Sequence, residues 1–153
     1  MAISSVLQNS FKTELLKGFH SFDTSGATPA GSVFKIALYN SSADLTTTTT
    51  AYTTTEELAT ATGYTRPGNT LTNTGVGVST VTSFTDFSDT SWTSASFTAR
   101  GCLIYNTAVI SGLTNDRAVC SITFGGDKTV SSGTFTIQFP TNDSSSAIIR
   151  ITS

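Results

Sequence analysis

SVFKIALYN, residues 32–40, sets Phe34, Ile36 and Leu38 on one side of the chain and Val33, Lys35, Ala37 and Tyr39 on the other. A period of two is the spacing of a strand, whose successive side chains point to opposite faces, so the stretch predicts a half-buried β-strand. GTFTIQF, residues 133–139, repeats the pattern, with Phe135, Ile137 and Phe139 facing away from Thr134, Thr136 and Gln138.

Further strand signals arrive at the spacing of a sandwich or barrel: residues 70–74, 76–86, 91–100, 101–106, 117–124 and 147–152. Gly125-Gly126-Asp127-Lys128 reads as a turn between two strands, and residues 107–116, carrying Gly112 and Asn115-Asp116, as the loop of a hairpin joining CLIYN to RAVCSITF. That hairpin brings Cys102 near Cys120 on adjacent strands. Two cysteines without metal-ligand spacing are expected as small buried hydrophobes with free thiols.

One segment breaks the pattern. In SFKTELLKGFH, residues 10–20, Phe11, Leu15, Leu16 and Phe19 recur at helical spacing, with Asn9 or Ser10 as the cap and Gly18 as the stop. The expected architecture is all-β, an antiparallel sandwich of jelly-roll or immunoglobulin-like type, with this short N-terminal helix ahead of it. Residues 1–31 form the helix and an arm, and residues 32–153 the single β domain. Residues 41–55, with the run Thr46–Thr50, are expected as a long exposed loop, ordered against a neighbouring subunit, and residues 56–62 (EELATAT) as one helical turn before Arg66-Pro67-Gly68. The expected core is Phe34, Ile36, Leu38, Trp92, Phe97, Leu103, Tyr105, Ile122, Phe124, Phe135, Ile137, Phe139 and Ile149.

Composition narrows the function classes. The chain has 153 residues, the size of one domain, and only 12% are charged, while Ser and Thr make up roughly a third. β-Branched Thr suits pleated surface and disfavours long helices. A net charge of −2 with 8 basic residues lacks the cationic patch that displaces counterions from phosphates, so no nucleic-acid partner is expected. No apolar run approaches the ~18 residues of a membrane span, so no membrane partner is expected. The start, Met1-Ala2-Ile3-Ser4-Ser5, has no basic and apolar leader pattern, which predicts a protein kept in a cytosol; the sequons at Asn40 and Asn142 then carry no meaning.

Candidate chemical residues are few, and no catalytic, cofactor-binding or metal residue is expected. His20 has no nucleophile-elbow motif for company and reads as a surface or interface histidine. Glu56 and Glu57 are neighbours, which do not point together, and read as a solvated loop rather than an acid/base pair. Gly75-Val76-Gly77 lacks the third glycine of a dinucleotide fingerprint and reads as strand with a close backbone approach. Asp86 and Asp89 are short of a Ca²⁺ site and read as turn or capping residues. Trp92 reads as a core anchor.

The succession NSFKTELLKGFHSFD, SVFKIALYNSSADL, TTTTTAYTTTEELATATGYTRPGNTL, SFTARGCLIYN, RAVCSITFGGDKTVSSGTFTIQFP and AIIRI, from Asn9 to Ile151, resembles a family of small virion structural proteins encoded by tailed bacteriophages. The resemblance implies a non-enzymatic protein with no cofactor, located in the virion after assembly in the host cytoplasm. A capsid decoration or cement protein is its first implication, with the major capsid protein and further copies of itself, as a homotrimer, for partners. Attachment would use the N-terminal arm, or the Thr-rich loop paired to a neighbour's sheet edge. The alternative is a tail, neck or fibre component whose Tyr52, Tyr64 or Trp92 meets a receptor glycan.

Overall fold

The computed structural model describes residues 2–25, 32–61, 63–109 and 111–153. The fold is all-β with one short helix: β1 (Val6–Leu7), α1 (Asn9–Leu16), β2 (Phe34–Tyr39), β3 (Asn69–Thr70), β4 (Asn73–Ser79), β5 (Thr82–Phe87), β6 (Thr90–Asn106), β7 (Arg117–Ile137) and β8 (Ile149–Thr152). An antiparallel sheet of order β1-β7-β6-β2-β3 and a smaller antiparallel sheet β4-β5-β8 form a sandwich-like arrangement. Most of the linker expected between helix and first strand, residues 26–31, lies outside the described residues.

β2 lies where the alternation puts it, but it is buried on both faces rather than one. Phe34, Ile36 and Leu38 join a core with Phe11, Phe22, Phe87, Trp92 and Ile149, while Ala37 and Tyr39 join a second cluster with Ile3, Ala43, Leu45, Leu103 and Tyr105. The second face is closed by residues 41–57, which are mostly exposed as expected but are anchored to their own sheet. Ala43 and Leu45 are buried, the Asn9 N–H donates to the Thr47 carbonyl, and the Ala118 N–H donates to Thr50. A Thr-rich segment satisfies its backbone against its own sheet once two apolar residues anchor it.

Most of the expected core is inside. Phe34, Ile36, Leu38, Trp92, Leu103, Tyr105 and Ile149 are buried; Phe97, Ile122, Phe124, Phe135, Ile137 and Phe139 are half-buried against them. The strand boundaries differ more. Residues 91–106 are one strand, and residues 76–86 are two, folded into a hairpin at Thr80-Val81. Gly125-Gly126-Asp127-Lys128 does not reverse the chain. Ala99 pairs with Lys128 and Gly101 already with Thr123, so residues 124–127 are extra length that bulges from a continuous β7. Glycine at a positive φ signals a bulge as readily as a turn, and here β6 continues alongside.

The helix ends near Gly18 as expected, but Gln8, not Asn9 or Ser10, occupies its N-cap position and makes no side-chain cap. Gln8 is buried, between the Thr46 carbonyl and Ser121. Of the expected turn over residues 56–62, residue 62 lies outside the described residues, and residues 56–61 make no helical turn: Glu56 sits at φ 61°. At Gly68, φ is +84° and a Cβ would lie 1.9 Å from the Ile36 carbonyl oxygen, so only glycine lets this turn close on β2. The close approach expected near Gly75-Val76-Gly77 is at Gly77, over which the Phe84 ring lies.

The segment expected to form an arm contributes to the shared core. β1 pairs with β7 through Val6–Ser121 and Leu7–Cys120, and Phe22 stacks on Phe34 with centroids 4.5 Å apart.

Candidate functional site

α1 presents Phe11 and Glu14, three residues apart, to the interior. Glu14 is a carboxylate in an apolar stripe, and it is buried. Arg117, the first residue of β7, donates to Glu14 Oε1 from Nε at 2.8 Å and again from Nη2. His20 lies 2.9 Å from the other carboxylate oxygen, and its Nδ1 lies 3.0 Å from Asn106 Nδ2. Helix, hairpin base and the last residue of β6 are thereby joined by four interior polar side chains.

Burial works to raise the Glu14 carboxyl, but the hydrogen bonds and charges of Arg117 and His20 outweigh it and hold the group below the usual carboxylate range. For His20, burial dominates and pushes the ring below its ordinary value, with Glu14 opposing and Arg117 assisting. The histidine expected at the surface or an interface is an interior one.

A second polar assembly is built on Glu57, expected as a solvated loop residue and in fact buried. Its carboxylate accepts from Tyr52 Oη at 2.6 Å and Tyr64 Oη at 2.7 Å, and Arg66 Nε lies 3.3 Å away. Tyr64 Oη also accepts the Leu38 N–H at 3.0 Å, so a side chain continues the pairing of β2 where β3 has ended. Burial, followed for Tyr52 by its bond to Glu57, raises both phenols. Glu56 points elsewhere and accepts from Asn40. The tyrosines and tryptophan considered for a glycan are engaged inside: Tyr64 and Trp92 are buried, and Tyr52 stacks on Tyr105.

Asp86 and Asp89 fasten loops. Asp86 is buried and accepts from the Phe87 and Ile148 N–H groups, and Asp89 accepts from Phe139 N–H. Cys102 and Cys120 are buried free thiols on one face of the β6–β7 pair, offset by two residues, since Cys102 faces Ile122 and Ile104 faces Cys120. Burial raises both, Cys120 to about 12. Among the described residues no three His, Cys, Asp or Glu side chains gather as metal ligands, and no helix is long and apolar enough to cross a membrane.

Besides the isolated Leu16 and Val109, 91 and 81% exposed, a group of exposed apolar residues lies on the small sheet. Val76, Val78, Val81 and Ile151 are 61, 72, 61 and 58% exposed, at the free end of the β4–β5–β8 layer. Val78 and Ile151 flank Ser83 in one cross-strand row. Beside them runs a groove of about 300 Å³ lined by Leu15, Phe22, Val76, Ile149 and Ile151. A larger groove of about 560 Å³ lies along β7, walled by Phe124, Phe135, Ile137, Phe139 and Pro140.

Sequence reasoning placed His20 at the surface or an interface and the Glu56-Glu57 pair in a solvated loop, and did not single out Glu14, Asn106 or Arg117. A signal existed for Glu14: it follows Phe11 by three residues and precedes Gly18 by four, on the apolar stripe. No local pattern marks Glu57, whose partners come from a folded loop. Comparisons of the chain with protein-family models, with curated proteins and with solved structures returned no match.

Proposed function

We propose that this chain is a non-enzymatic virion structural protein of a tailed bacteriophage, binding the capsid lattice as a homo-oligomer in the manner of a decoration or cement protein. The observation that carries the reading is the valine-rich end of the β4–β5–β8 sheet, an apolar strip on a chain whose surface is otherwise rich in Ser and Thr. The resemblance of residues 9–151 to phage structural proteins supports the lattice as the partner.

The burial of His20, Glu57 and Asp86 within hydrogen-bonded networks agrees with a function distributed over surfaces. Attachment is assigned to the β4–β5 hairpin instead of the N-terminal segment, because β1, Phe11 and Phe22 belong to the core. The test is the copy number of the chain in purified particles, by quantitative mass spectrometry against the major capsid protein, for the natural sequence and for Val76→Thr/Val78→Thr. A simple ratio to the capsid subunit, reduced by the double substitution, is expected. A ratio a hundredfold lower moves the protein to the tail or portal vertex, and an unchanged ratio in the variant removes the hairpin from the contact.

A further inference from the structure

We propose that Glu14, His20, Asn106 and Arg117 form an acid-sensitive latch that holds α1 and residues 19–22 on the sheet and releases them when His20 takes up a proton. The wiring is fixed at Asn106. Its Oδ1 accepts the Ala108 N–H at 2.9 Å, which fixes the side-chain amide so that Nδ2 is the atom facing the imidazole. Nδ2 is only a donor, so His20 Nδ1, 3.0 Å away, must offer a lone pair. The ring proton is then on Nε2, donated to Glu14 Oε2 at 2.9 Å. This wiring accepts neutral His20 and no other form. A second ring proton would sit on Nδ1 and point at the Asn106 NH₂, and turning that amide would set its NH₂ against the Ala108 N–H.

Burial of the imidazole acts in the same sense as the wiring and outweighs Glu14, which favours the protonated ring, while Arg117 disfavours it. From α1 the imidazole faces Glu14; from β7 it meets the field of Arg117, whose guanidinium already occupies the other Glu14 oxygen; from β6 it faces uncharged Asn106. Asp23, on the far wall of the adjoining groove, is exposed and bonds Ser25. Phe11 packs against the ring with centroids 4.9 Å apart and supplies no polar contact.

His20 is held below 6.5 when the segment is docked, and it regains its ordinary affinity for protons when the segment is open. The open form therefore binds more protons below about pH 6.5, and docking weakens as pH falls from there toward the docked value. Glu14, held below 4.5, adds a second loss of the same sign at lower pH. Release would uncover the face of Phe34 and Phe87 now covered by Phe22.

The test is amide hydrogen exchange on the full chain, with rates divided by intrinsic rates at each pH. Protection at Lys17, Gly18 and Phe19, whose amides bond back into α1, is expected to be flat above pH 7 and to fall by up to tenfold per pH unit below 6.5, while Ile36 and Leu103 stay protected. His20→Gln, which keeps a donor for Glu14 and an acceptor for Asn106 but does not titrate, is expected to hold protection level down to the range of Glu14. Equal pH slopes in His20→Gln and the natural chain, or a flat profile in the latter, would overturn the latch. Should His20→Gln fail to dock at neutral pH, ring NMR of the natural chain decides. A neutral Nε2–H tautomer titrating below 6.5 supports the latch, and an Nδ1–H tautomer or a midpoint at 6.5 or above overturns it.

Discussion

β2 and β4 begin from similar material, short runs of alternating apolar residues, and end in opposite environments. FKIALY is covered on both sides, whereas TGVGVS leaves Val76 and Val78 bare. The difference lies in what the rest of the chain delivers to each. β2 has β6 on one edge, aromatic residues below and the 41–57 segment above. β4 is the edge of a three-stranded layer, and among the described residues its outer end leaves Val78 and Val81 exposed. Alternation therefore reports which residues share a face, and the number of covering layers decides whether that face is core or contact surface.

The comparison can be broken hardest at the polar fastener beneath the large sheet. Arg117→Met leaves the Glu14 carboxylate buried without its charged partner, and a loss of about 3–5 kcal/mol in unfolding free energy is expected from denaturant titration. Ile36→Ala, in the doubly covered strand, should cost about 2–5 kcal/mol by the same measurement, because a fully packed site cannot collapse around the cavity. Glu57→Gln weakens two charge-assisted bonds from Tyr52 and Tyr64, and a cost of about 1–3 kcal/mol is expected, with the largest rise in amide exchange at Leu38. Val78→Thr on the bare strand should change stability by less than about 0.5 kcal/mol while lowering attachment to particles. A destabilisation of Val78→Thr comparable to that of Ile36→Ala would show that the hairpin face is covered after all and erase the contrast between the two sheets.

The helix sharpens the same lesson. Leu16 was expected on its apolar face and is 91% exposed, while Glu14, for which no role was expected, is buried. Over eight residues a helical pattern has too few repeats to fix which stripe faces inward, and the pairing of Glu14 with Arg117, more than a hundred residues later, decides it. Likewise Glu56 and Glu57 are equivalent on paper. A left-handed backbone at Glu56 and three polar partners around Glu57 separate them.

Composition and period two by themselves determined that this is an all-β chain, that the 102–120 region is a hairpin, and that Phe34, Ile36, Leu38, Leu103 and Tyr105 are interior, because strand propensity and side-chain alternation are local properties. Only the tertiary structure decided that the Thr-rich segment is a lid on its own sheet, that Gly125-Gly126 is a bulge in an unbroken strand, and that His20, Glu14 and Arg117 meet inside. Each of these depends on a partner distant in sequence, and the free energy of burying a backbone amide or a charge is set by that partner, which local sequence does not name.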